Sequence, residues 1–130
     1  KSHRWQEKPE FQTQLRVLIK KYRHKITALL LGHDHLATLV HFDDLPAVVS
    51  GATHNQRNDK PVKNVQDGVN VQTAWYFPTG PYWVRLELTA RPPTSRVHFI
   101  NATNDQISCT ATLAKGARAL LDQNCFDKIN

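Results

Sequence analysis

The feature that most limits how this chain can fold is Ile26 to Leu31, a nearly continuous apolar run that stops at Gly32 and gives way to His33-Asp34-His35. A short run of this kind is what a strand covered on both faces requires, as in the parallel sheets of α/β proteins. It is expected to be a buried central strand. The residues before it carry Phe11, Leu15, Leu18, Ile19 and Tyr22 at helical spacing, with Gln, Arg and Lys between them and Pro9 suited to a first turn. An amphipathic helix over residues 9–24, packed on its apolar face, is therefore expected to lead into the strand. Helix, buried strand and a polar loop with histidines give an α/β class.

Downstream, Leu36 to Phe42 and Ala47 to Ser50 read as two more strands around Asp43-Asp44-Leu45-Pro46, which has turn chemistry. Thr53 to Gln72 is rich in Asn, Gln, Asp, Lys and Gly and is expected to be a long surface loop. Tyr82, Val84, Leu86 and Leu88 alternate with Trp83, Arg85, Glu87 and Thr89, the period of two of a half-buried strand. Val97, Phe99 and Ile107 to Leu113 supply further antiparallel strands. Arg91 to Thr94 and Asn101 to Asp105 form the turns between them. Ala117, Leu120 and Leu121 suit a short closing helix.

With 130 residues, one domain is expected, and no apolar run approaches the roughly 20 residues of a membrane-spanning helix. The chain starts at Lys1 and contains no Met, so upstream residues are expected to have been lost. The net charge of +6 favours anionic partners in general. Its one bunch, Lys20, Lys21, Arg23 and Lys25, fits a solvated helix end opposite the negative dipole, so no nucleic acid is expected. Cys109 and Cys125 are compatible with one disulfide or with two unrelated thiols. Asn101-Ala102-Thr103 fits the N-glycosylation pattern, with Asn101 as acceptor. Together these lean toward a secreted or secretory/lysosomal protein.

The candidate chemistry lies in Gly32-His33-Asp34-His35. Histidines at i and i+2 leaving a strand point to the same side of the chain, so His33 and His35 can reach one site. Gly32 is expected to ease the turn, and the carboxyl end of a sheet strand is where α/β folds place their ligands. Two histidines remain an incomplete metal site by themselves, and polar loops collect histidines anyway. Asp34, facing away from the pair in an extended loop, suits an anchoring role. His24, His41, His54 and His98 have no partner at ligand spacing and read as structural or exposed. Cys109 and Cys125 lack zinc-finger spacing.

In this context the chain resembles the calcineurin-like metallophosphoesterases, and among them the purple acid phosphatases of the small tartrate-resistant type. Leu29 to His35 is similar to that family's last metal motif, and Ala47 to Ala52 to the strand that follows it. Tyr82 to Ala90 with Arg96 to Ile100 resembles the closing strands. The resemblance implies the C-terminal part of a four-layer αββα sandwich, mostly β with one leading amphipathic helix, as a single section over residues 1–130. It further implies that His33 binds a divalent metal and His35 the other ion of a pair, Fe with Zn, Mn or Fe. Two metals about 3.5 to 4 Å apart can clamp a phosphoryl group and lower the pKa of a bound water. His3 falls where these phosphatases often carry a histidine that contacts phosphate or protonates the leaving group. On residues alone, it reads rather as a surface histidine near a chain end.

The family's Asp-x-His, Gly-Asp and Gly-Asn-His motifs and a further ligand histidine are absent. The expected function is thus acid-phosphatase-like hydrolysis of phosphoric monoesters, with an N-terminal segment of the same protein completing the ligand set. The alternative is a non-catalytic phosphatase-like scaffold or receptor, since fold and function separate easily. A complete small anion-binding module is a third reading, opposed by a helix and strand that need a larger sheet.

Overall fold

The computed structural model describes residues 9–32, 36–50, 63–66, 69–77, 80–91 and 93–127. They form a mixed α/β arrangement that is mostly β, with helix α1 (Pro9–Tyr22) preceding two sheets. Proline opens α1, where its missing N–H costs no hydrogen bond. Glu10 in the first turn and Lys20 and Lys21 in the last complement the dipole. Leu15 and Ile19 are half-buried, whereas Leu18 and Tyr22 are exposed. The described residues therefore cover only part of the face expected to pack.

A 3-10 turn at Arg23–Lys25 leads to strand β1 (Leu29–Leu31). The strand expected here exists, but its central, buried position does not hold among the described residues. β1 lies at one edge of a five-stranded sheet, pairs with one neighbour, and leaves Leu30 64% exposed. Apolar sequence records what a strand can bury, and the layer that would bury this one is not among the described residues.

Strands β2 (Ala37–Phe42) and β3 (Leu45–Ser50) form a hairpin in which Phe42 faces Leu45 across a two-residue turn. Asp43 and Asp44 both have positive φ, 45° and 70°, as a type I′ turn requires, and aspartate tolerates this region through its short polar side chain. Asp43 Oδ1 accepts from the Asn70 N–H at 2.9 Å. Leu45 and Pro46, expected in the turn, are strand residues instead.

The long surface loop is corrected over its second half. Strands β4 (Lys63–Gln66) and β5 (Val69–Tyr76) form a hairpin joined to β2 through β5. The polar composition was misleading because β5 is only half-buried. Val71 and Trp75 are buried, while Asn70 and Tyr76 stay exposed and the backbone supplies the ladder.

The second sheet is antiparallel throughout, in the order β6 (Tyr82–Ala90), β7 (Pro93–Asn101), β8 (Ile107–Leu113) and β9 (Leu120–Leu121). The expected closing helix is absent. Leu120 and Leu121 pair with β8, and a 3-10 turn at Gln123–Cys125 follows. The connection turns at Gly116, whose φ is +67° and whose N–H donates to the Ile26 carbonyl at 3.0 Å. A Cβ there would lie 3.2 Å from His24 Cα, so this close approach of two backbones depends on glycine.

The sheets share one core. Leu39, Val48, Trp75 and Phe77 of the first sheet and its following residue meet Tyr82, Val97, Phe99 and Ala111 of the second. Trp75 is the pivot, 4.5 Å between ring centroids from Phe99 and edge-on to Tyr82 at 6.2 Å. A disulfide between core Cys109 and half-buried Cys125 fastens the closing turn to β8. Closing a loop with a sequence separation of 16 stabilises the fold by about 3 kcal/mol through the unfolded chain. Replacing both cysteines with serine is expected to lower unfolding free energy by about that amount in a denaturant titration. An unchanged midpoint would show that the cross-link constrains nothing.

Candidate functional site

β1 runs parallel to β3, with Leu31 opposite Val49, and Ala37 at the start of β2 lies opposite Ser50. Gly32 leaves β1 and Leu36 returns toward β2 at the same end of the sheet, the carboxyl end of β1. Phe77 also reaches this end, its N–H donating to the Ala37 carbonyl at 3.1 Å. His33, Asp34 and His35 lie outside the described residues, as do His3 and His54. Two imidazoles are a suitable but partial donor set for a metal. Among the described residues no group of three or more His, Cys, Asp or Glu side chains converges to supplement them.

Gly32 differs from expectation. Among the described residues a Cβ there would meet nothing within 4 Å, and its φ is not positive, so neither their packing nor backbone geometry demands glycine. The reason is its position just past an edge strand that no layer covers among the described residues.

The remaining expected residues are accounted for individually. Asn101 ends β7, half-buried, with its Oδ1 accepting the Thr103 N–H at 2.8 Å, and residues 102–106 after it are exposed. His24 is exposed beside Gly116. His98 is structural, as expected. Its Nδ1 lies 3.0 Å from Thr110 Oγ1 and its Nε2 3.0 Å from Glu87 Oε2, a ladder across β6, β7 and β8 on the face away from the core. Asn124 extends it, its Oδ1 accepting the Thr110 N–H at 3.1 Å. An acid, a histidine and a hydroxyl in line suggest nucleophilic chemistry. Here Thr110 is 4% exposed, so the hydroxyl cannot meet a substrate and the ladder holds strands together.

A second network lies at the opposite end of the first sheet. His41 is 3% exposed, on the same face of β2 as core residues Ala37 and Leu39. Its Nδ1 lies 3.1 Å from Arg118 Nη2, and its Nε2 accepts the Ala119 N–H at 3.2 Å. Arg118 also donates to Asp44 Oδ1 and to Gln72 Oε1, the latter at 3.0 Å. Burial, reinforced by the Arg118 charge and opposed by Asp44, holds the His41 pKa below its ordinary value. Its alternation with Ala37 and Leu39 was the signal that could have placed His41 inside. Arg118, 77 residues away, carries no such signal.

Tested against protein-family models, characterised proteins and solved structures, the chain matches none. The site rests on its own residues and their place in the sheet. Gly32→Ala is expected to change unfolding free energy by no more than about 0.5 kcal/mol. A loss several times larger would mean that the β1 exit is held in a conformation only glycine adopts.

Proposed function

We propose that this chain is the C-terminal section of a metal-dependent phosphoric monoester hydrolase of the purple acid phosphatase kind, within a four-layer αββα sandwich. The single observation that supports the reading is Gly32-His33-Asp34-His35 following an apolar strand that pairs parallel with Ala47 to Val49. Parallel neighbours carry their ligand loops at the carboxyl end, which is where these histidines leave β1. In this reading His33 and His35 each give a neutral imidazole to a different ion of an Fe pair with Zn, Mn or Fe. Such a pair, when bound, supplies a hydroxide nucleophile and charge neutralisation for the phosphoryl group. The remaining ligands come from an N-terminal segment of the same protein, and His3 would contact phosphate or the leaving group.

A secreted or lysosomal location accompanies the proposal. The Cys109–Cys125 disulfide suits an oxidising compartment, and Asn101, followed by an exposed turn, suits a glycan. In the whole protein, His33→Ala or His35→Ala is expected to abolish hydrolysis of an aryl phosphate and to lower bound metal measured by elemental analysis. Full activity with His35→Ala would overturn the proposal. Metal-free wild-type protein without activity would favour the phosphatase-like scaffold.

A further inference from the structure

The junction between the two sheets contains a hydrogen-bonding conflict. Both ring nitrogens of buried His41 face groups that only donate, the Arg118 guanidinium at Nδ1 and the Ala119 N–H at Nε2. A neutral imidazole has one lone pair for hydrogen bonding and satisfies one of them. An imidazolium has none, and would set two N–H groups and a buried charge against two donors. We propose that His41 is an acid-sensitive latch, whose unprotonated ring holds the 118–119 segment on β2 and whose protonation releases it.

The surroundings favour the neutral ring. Arg118 is the nearest charge and repels an imidazolium. Asp44, on the turn after β2, would attract one, but its carboxylate is engaged by Arg118 and lies 3.9 Å from Arg23. From β5 the facing group is neutral Gln72, and from β3 the cross-strand partner is Pro46, which carries no charge. Among the described residues the segment is also tied by Arg118 to Asp44 and Gln72. Gly116 is bound to Ile26, and Ala119 is buried in the shared core, so the latch bridges the first sheet to the connection between β8 and β9.

The direction with pH follows from the lowered pKa. Above the ordinary value of 6.5, folded and unfolded chains are both neutral at this ring and the latch contributes fully. As pH falls through 6.5 the unfolded or released ring takes the proton first, so stability is lost on the acid side. One proton makes the opening equilibrium more favourable by up to about tenfold per pH unit in that window.

Hydrogen exchange on the full chain, corrected for intrinsic rates, tests this between about pH 7.5 and about pH 5. Protection of the Ala119 amide is expected to fall toward that slope while amides of the β7–β8 ladder keep theirs. In His41→Gln, whose side-chain oxygen accepts at every pH, the fall should disappear. Constant Ala119 protection in the wild type, the same fall in His41→Gln, or equal losses in the β7–β8 ladder would overturn the latch. If the variant does not fold, an NMR titration of the wild-type ring decides. A midpoint below 6.5, shared by the Ala119 amide shift, supports the latch, and a midpoint at or above 6.5 contradicts it.

Discussion

Two sheets stay together only where each presents a face that water does not reach, and in this chain those faces meet on Trp75. Its ring lies against Phe99 and edge-on to Tyr82, while Phe77 packs on Tyr82 at 4.2 Å between centroids. Large aromatic side chains bury much apolar area and interlock by the electrostatics of their rings, so a few of them can fix two sheets face to face. Trp75 lies on β5 opposite Leu39 of β2, and β2 in turn pairs with β3 and β3 with β1. The end of the sheet where Gly32 and Leu36 stand is reached by the same core, through Ala37 and Phe77.

The core does not extend to every apolar residue. Leu86 and Leu88 continue the inward alternation of β6 begun by Tyr82 and Val84, yet both are exposed, and Leu30 lies beside them on the rim of an open cleft with Thr27, Ala28, Ser95 and Leu113. Leu18 and Tyr22 of α1 are exposed as well. These residues read as core in the sequence because hydrophobic periodicity reports what a face is suited to bury. A fold in which β1 is an inner strand and α1 packs on its sheet, as the proposed αββα sandwich requires, would cover apolar residues of both.

Much of the fold was legible for that reason. The β2–β3 hairpin announced itself through Asp43-Asp44, because two adjacent residues with positive φ need short polar side chains. In the second sheet β6 followed from its strict alternation and β7 and β8 from their apolar residues, whereas β9 lies where a short helix was expected. What stayed hidden was β5, whose exposed Asn70 and Tyr76 and half-buried Gln72 obscured an alternation carried by few apolar residues. Also hidden was the tie between His41 and Arg118, because a contact spanning 77 residues leaves no local pattern. The cysteines left their pairing open in the sequence, and the fold brings them together by folding the closing turn back on β8. Of the candidate site, the strand and its parallel partner are described, while the histidines themselves lie outside the described residues.

We propose that the carboxyl end of β1 carries a metal-binding loop. Anomalous X-ray diffraction at the iron and zinc edges, on crystals of the whole protein, addresses it most directly. Two metal peaks about 3.5 to 4 Å apart are expected beyond Gly32, with His33 on one and His35 on the other. Metal bound only elsewhere, or both imidazoles on a single ion, would contradict it.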